Sequence, residues 1–115
     1  MQYFYSIRIE CDQGDHSTID TILGVSSTKQ FDNQWVYEVV EKQDDAPTNF
    51  IEAFIEILKG NFEQLEGIGI SRERISIWML YEYDSQCNFE LLPKDLFLLG
   101  ENKISLCVSC WESSN

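Results

Sequence analysis

The feature that most constrains the fold is one long periodic segment in the middle of the chain, residues 47–67. Its large apolar side chains recur at steps of three and four residues, the spacing that places them on one stripe of an α-helix. They are Phe50, Ile51, Phe54, Ile55, Leu58, Phe62 and Leu65. Four acidic residues follow the same steps on the opposite side, namely Glu52, Glu56, Glu63 and Glu66. The pattern predicts a single helix with a buried apolar stripe and an acidic outer face.

The ends of this helix also have recognisable sequence signals. Asn49 is a suitable N-cap, and Glu52 three residues later completes a capping box. Gly67 is a natural residue for the position after the last turn. Gly60 lies inside the pattern, where a glycine costs about 1 kcal/mol relative to alanine, so we expect it to mark a bend.

Four other segments alternate between apolar and polar residues, which is the period of a half-buried strand. They are residues 3–11, 34–41, 74–84 and 103–112, and the shorter segment 87–91 predicts a fifth strand. Two short helices are predicted as well. One covers residues 17–23 and ends at Gly24, and the other covers residues 93–99, with Pro93 in its first turn and Gly100 past its end.

The predicted order of elements is β-α-β-α-β-β-α-β, within a single domain that spans residues 1–115. Because several strands carry polar residues at alternate positions, we expect an α+β fold, a mainly antiparallel twisted sheet of about five strands with the helices on one face. The other face would stay open. It would carry Phe4, Arg8, Glu38, Trp78, Glu82, Ser105, Cys107, Ser109 and Trp111.

The charge balance restricts the kinds of partner. With 20 acidic and 8 basic residues the chain has a formal net charge of −12, whereas nucleic acids and anionic membranes require a positive surface. A basic protein is the natural complement, although acidity can also serve solubility alone. No segment is apolar enough to span a membrane and the first residues lack the pattern of a secretory signal, so we expect a cytoplasmic protein with reduced cysteines.

No catalytic or metal-binding motif stands out. Cys107 and Cys110 are three residues apart on a predicted strand, which points their thiols to opposite faces, so we expect Cys110 in the core and Cys107 on the open face. His16, the only histidine, lies in a turn and is expected to be a solvated turn residue. We therefore predict no enzyme activity, no metal and no cofactor. The alternative is a small-ligand domain or modest enzyme using Glu38, Glu82 or Asp84.

Two surfaces are candidates for partner binding. One is the acidic side of the long helix together with the two aspartates that precede it, Asp44 and Asp45. The other is the open sheet face, where Trp78 and Trp111 are large aromatics opposite the predicted core. The acidic surface would suit a basic partner. The aromatic sheet face would suit another protein, a ligand or a second copy of the chain in a homodimer.

Several segments resemble a bacterial family known as domain-of-unknown-function family 4279. The resemblance lies in residues 89–112, in residues 17–27 and in Trp35, with Leu-Gly pairs at Leu23-Gly24 and Leu99-Gly100. It implies an opening strand, a short helix ending in Leu-Gly, a tryptophan strand, and a late helix with Leu-Gly before a closing strand. Some members of that family look like immunity proteins, which neutralise a toxin by binding it. The matched positions are architectural and transfer no functional residue.

These observations lead to a hypothesis of function. We expect a cytoplasmic protein-binding domain, an immunity protein or inhibitor that neutralises a basic toxin such as a nuclease. The predicted partner-binding residues are Asp44, Asp45, Glu52, Glu56, Glu63, Glu66, Trp78 and Trp111. A homodimeric structural module is a further alternative.

Overall fold

The computed structural model describes residues 2–42 and 44–113. Its strands are β1 (Gln2–Glu10), β2 (Lys29–Phe31), β3 (Gln34–Lys42), β4 (Ile75–Tyr83) and β5 (Ser105–Glu112). Its helices are α1 (His16–Leu23), α2 (Phe50–Leu58), α3 (Phe62–Gly67) and α4 (Pro93–Glu101). Single 3-10 turns at Gln13–Asp15 and Arg72–Arg74 precede α1 and β4. The prediction of an α+β fold is confirmed.

The five strands form one sheet in the order β2-β3-β1-β4-β5. All neighbours are antiparallel except β4 and β5, which are parallel because α4 crosses back between them. The sheet is therefore mainly antiparallel, as its alternating strands predict. The N-terminal strand β1 lies at its centre.

The core lies on the face of the sheet that the helices cover. By alternation, odd-numbered residues of β1, β3 and β4 point towards this face, where Ile7, Trp35 and Ile77 are fully buried. The apolar stripe of α2 lies over them, with Phe54 and Leu58 almost completely buried. The open face consists of the alternate residues, so the assignment of side chains to the two faces is confirmed for the four long strands.

The prediction of one continuous helix over residues 47–67 is wrong. Helix α2 ends at Leu58, Lys59 has extended backbone (φ −61°, ψ 133°), and Gly60 has a φ of +84°, which glycine adopts readily. Asn61 donates its side-chain amide to the Ile57 carbonyl over 2.9 Å and helps to end α2. The chain then changes direction before α3, so Gly60 divides two helices where a bend was expected.

The predicted order of elements differs from the structure in two further places. Residues 87–91 form no strand, although Leu91 packs against the core. The fifth strand is instead β2, a three-residue strand that pairs with β3 across the short turn at Asp32 and Asn33. Three exposed residues are too few to show an alternating pattern in the sequence.

The predicted helix ends are partly confirmed. Helix α1 stops at Leu23 and Gly24 adopts a φ of +73°, as predicted. Helix α4, in contrast, continues through Gly100 to Glu101, and the left-handed residue after it is Lys103 (φ +58°). At α2 the side-chain oxygen of Asn49 accepts the Glu52 N–H over 3.1 Å, which confirms the N-cap.

Candidate protein-binding surfaces

A groove of about 650 Å³ runs between α2 and α4. Its apolar lining comes from Ile55 of α2 and from Pro93, Phe97 and Leu98 of α4. Ile55 is buried at the base of the groove, whereas Phe97 is exposed. Pro93 and Phe97 are four residues apart and therefore share one side of α4. The groove has the apolar, concave character of a site that holds a side chain or helix of another molecule.

Phe97 is the most exposed of the large apolar side chains in the described residues, with 67% of its surface accessible. Three neighbours are also exposed: Phe89, Leu92 and Leu96. Leu92 is the N-cap residue of α4 and lies one turn before Leu96. Both follow the helical spacing of buried Leu99, whereas Phe97 lies on the opposite side of the helix from Leu99. This concentration of exposed apolar side chains within nine residues indicates a surface that excludes water when a partner covers it.

The rim of the groove carries both signs of charge. Glu52 and Glu56 line it from α2 together with Lys59, and Lys94 lines it from α4. The Lys94 ammonium lies 4.0 Å from the Glu52 carboxylate, which also accepts a hydrogen bond from the Asn49 side-chain amide over 3.0 Å. Glu56 is exposed. The two glutamates and two lysines of the rim balance, so the acidic character that a partner would meet at long range comes from acidic residues elsewhere on the protein.

The other predicted acidic residues lie elsewhere. Glu63 and Glu66 belong to α3, on the far side of the break at Gly60, and the Glu66 carboxylate lies 4.0 Å from Arg72. Asp44 and Asp45 are exposed in the segment before α2, where Asp45 accepts the Lys42 N–H over 2.8 Å. The prediction of one helix face carrying all four glutamates is therefore wrong, because they are divided between α2 and α3, whereas Asp44 and Asp45 do precede α2.

The open sheet face is the second candidate surface. Pairing between strands places Val40, Phe4 and Leu80 side by side across β3, β1 and β4. The Arg8 guanidinium lies 4.3 Å from the centre of the Trp78 ring, and its Nε donates to the Ser6 hydroxyl over 3.3 Å. Arg8 and Trp78 thereby help to bury Ser6 on a face that none of the helices in the described part of the chain covers.

Trp78 and Trp111 occupy the open face as predicted, but their environments differ. Trp78 is half-buried, and its indole N–H donates to the Ser76 hydroxyl over 2.9 Å. Trp111 is 40% exposed on the edge strand β5. The residue paired with Trp78 on β5 is Cys107, four residues before Trp111, so the two tryptophans are separated by about 13 Å along the strands.

His16 is not the solvated turn residue that the sequence predicts. It is buried at the start of α1, and both ring nitrogens face backbone carbonyls, Nδ1 that of Gln13 at 2.9 Å and Nε2 that of Gln34 at 3.0 Å. Both nitrogens can donate only in the imidazolium form. The Gln13 hydrogen bond therefore raises the pKa of His16 and outweighs the effect of burial, which lowers it. The residue ties α1 to β3 and has no free nitrogen for catalysis.

The cysteines are free thiols. Cys107 and Cys110 point to opposite sides of β5, as predicted, but Cys110 is exposed and not in the core, because β5 lies at the sheet edge. Burial and a hydrogen bond with the Cys110 thiol raise the pKa of Cys87. Within residues 2–42 and 44–113, no three histidine, cysteine or acidic side chains cluster in an arrangement that could hold a metal ion.

The structure does not bring the candidate carboxylates together. Glu38 forms an ion pair with Lys29 at 2.8 Å on β3. Glu82 lies two strands away on β4, about 10 Å across the sheet and four residues, or about 13 Å, further along the strand. Asp84 lies in the bend after β4 ends. Such a separation does not match the shared site that paired carboxylates need for acid–base chemistry.

Comparison with known proteins gave no match to a protein-family model, to a curated protein or to a solved structure. No helix in the described part of the chain is long and apolar enough to cross a membrane.

The groove between α2 and α4 is the feature that sequence reasoning missed. One signal was available, because Leu96, Phe97, Leu98 and Leu99 are four successive apolar residues in a short helix. A helix of 3.6 residues per turn cannot bury four successive side chains against one sheet. At least one of them had to face outward, and the structure shows that Leu96 and Phe97 do.

Proposed function

We propose that this protein is a protein-binding domain that inhibits a basic partner, and that the groove between α2 and α4 is its binding surface. The observation that carries the proposal is the exposure of Phe97 above an apolar groove whose α2 side is lined by Glu52 and Glu56. A basic toxin, such as a nuclease that the protein would neutralise in the cytoplasm, is a suitable partner because its charge is complementary to that of this acidic chain. The sequence also resembles domain-of-unknown-function family 4279, some members of which look like immunity proteins, and this resemblance favours an inhibitor that binds a toxin.

Affinity and association rate would come from different parts of this surface. Apolar side chains inserted between Ile55, Phe97 and Leu98 would supply most of the binding free energy, because buried aromatic anchors dominate protein interfaces. The net charge of −12 would accelerate the encounter with a basic partner and would favour it over acidic proteins. A basic side chain of the partner would replace Lys94 beside Glu52, whose present ion pair is exposed and 4.0 Å long.

The first test is a tagged pull-down from the native cytoplasm at low and moderate salt, made in parallel with three proteins. These are the natural sequence, Phe97→Ala and the control Phe31→Ala, which removes another exposed phenylalanine from β2. We expect one stoichiometric basic protein with the natural sequence and with Phe31→Ala, and at least tenfold less of it with Phe97→Ala. Equal recovery with both variants would exclude the groove.

The second test measures association kinetics with that partner. Reversing both charges in Glu52→Lys/Glu56→Lys should slow association and flatten its dependence on salt. Glu63→Lys/Glu66→Lys is the matched control, because it changes the net charge equally but alters α3. A larger effect of the α2 variant is expected. Equal effects would show that only overall charge matters and that the groove does not position the partner.

A further inference from the structure

Within residues 2–42 and 44–113 no helix covers the open face of the sheet, and one row of side chains across it is apolar. The apolar row is formed by Val40, Phe4 and Leu80, with Ser109 beside them on β5, and the row next to it carries Glu38, Ser6 and Trp78. Val40 is 45% exposed and Trp111 is 40% exposed on the same side, whereas α1 to α4 lie on the other side. A solvated sheet face usually presents polar residues at such positions.

This face is also electrically neutral in a strongly acidic protein. Alternation along the strands gives it three basic and three acidic side chains. They are Arg8, Lys29, Lys42, Glu10, Glu38 and Glu82. Lys29 and Glu38 already form an ion pair with each other. The formal net charge of −12 therefore belongs to the helical side, the loops and the sheet edges.

The face is large enough for a specific interface. Four strands of eight or nine residues cover about 19 Å by 27 Å, or about 500 Å² in projection, at ordinary strand spacing and rise. Two such faces bury about 1,000 Å² of projected area, and the side chains standing on them add to the accessible area. This reaches the lower range of specific interfaces.

We propose that a second copy of this chain covers the open face and that two protomers pack sheet against sheet around a two-fold axis. A two-fold interface requires a self-complementary surface, and a face with balanced charges and an apolar row meets that requirement. A basic protein would gain no charge attraction from this face, because its charges already balance. This inference is independent of the α2–α4 groove, which lies on the opposite side of each protomer.

Long-range electrostatics also select this face for self-association. Packed sheets lie about 10 Å apart, and the helix layer on each outer side is a further 10 Å thick. The acidic helices of the two protomers would therefore lie about 30 Å apart, well beyond the screening length of about 8 Å at physiological salt. Contact through the helical side would instead bring two acidic surfaces within that length.

The test is sedimentation velocity from about 1 µM to 1 mM protein. We expect a monomer–dimer equilibrium that does not weaken between 50 and 500 mM salt, because apolar contact holds the dimer and salt screens the remaining repulsion. Iodide quenching of Trp111 fluorescence should fall over the same concentration range. A monomer throughout the series, or a dimer that dissociates at high salt, would overturn the proposal.

Variants on the two sides of the sheet assign the surface. Val40→Glu and Val40→Lys change the net charge in opposite directions, yet each should weaken the dimer at least tenfold, because each places two like charges in an apolar interface. Leu96→Glu is the control, since it adds the same charge to an equally exposed apolar site on α4. Circular dichroism checks that each variant folds. Loss of the dimer in Leu96→Glu but not in the two Val40 variants would overturn the proposal.

Discussion

The two faces of this sheet are built from the same strands, and both carry large apolar side chains, but they differ in what covers them. On one face Ile7, Trp35 and Ile77 are completely buried under helices. On the other face, Phe4, Trp78 and Leu80 are only half-buried. Trp78 is stacked with the Arg8 guanidinium, and Phe4 lies opposite Leu80 on the neighbouring strand. The comparison shows that an alternating pattern divides side chains between two faces, whereas the number of covering layers decides which face stabilises the fold.

The largest expected difference in stability is between two positions of β4 that lie on opposite faces of the sheet. Ile77→Ala should lower the free energy of unfolding by about 2–5 kcal/mol, because it leaves a cavity under the helices. Leu80→Ala removes a side chain of the same size from the open face and should cost about 1 kcal/mol, since Leu80 is already half-exposed. Urea unfolding followed by circular dichroism measures both. Both variants are measured below the concentration at which the proposed dimer forms. Equal losses there would show that the open face stabilises the monomer as much as the covered face does, which would contradict this comparison.

The next largest loss of stability is expected from a substitution of His16, a polar residue on the covered side of the sheet. His16→Phe removes hydrogen bonds to the backbone carbonyls of Gln13 and Gln34 and should cost about 1–3 kcal/mol below pH 6. Because the pKa of His16 is raised in the folded state, its stabilisation is complete below the unfolded pKa of about 6.5 and is lost as the pH rises through the higher folded pKa. The variant should therefore approach the natural sequence in stability at alkaline pH.

Two measurements check this pH dependence. NMR titration of the ring protons reports the folded pKa directly, since His16 is the only histidine. Unfolding free energies at pH 5 to 9 give the stability difference for the same group. A folded pKa at or below the ordinary value, or a stability difference that grows with pH, would contradict the doubly hydrogen-bonded imidazolium.

The smallest effect is expected on the open face. Arg8→Gln removes the guanidinium from the Trp78 ring and should cost about 0.5–1 kcal/mol, since exposed cation–π contacts are weak. Arg74→Gln, at an exposed arginine in the turn before β4, serves as the control for loss of one positive charge. Urea unfolding and tryptophan emission measure both variants. Identical stabilities and spectra would show that the stack contributes nothing to this face.

The fold was predictable from the sequence where the signal is local. The alternating residues of β1 and β4 and the N-cap at Asn49 depend on side chains a few positions apart. The same reasoning failed at residues 59–60, because the apolar spacing continues through Gly60 although the backbone does not. It also failed at β2, which is held by pairing with β3 and not by a pattern of its own.

The candidate site was predictable only in part. Glu52, Glu56, Trp78 and Trp111 do lie at the surface or on the expected sheet face, because helix and strand periodicity fix their directions. The groove was not predictable, since it exists only where Phe97 of α4 lies next to Ile55 of α2, more than 40 residues away along the chain. Its exposed phenylalanine resembles a core residue when the sequence is considered alone.

The sequence by itself determined the α+β class, the assignment of side chains to the two faces of the sheet, the N-cap at Asn49 and the turn at Gly24. Each of these depends on the energies of a few neighbouring residues. The tertiary structure alone decided the central position of β1, the burial of His16 between two carbonyls, and the exposure of Phe97. These features depend on which distant elements meet, because burial is a property of the assembled layers and not of any single segment.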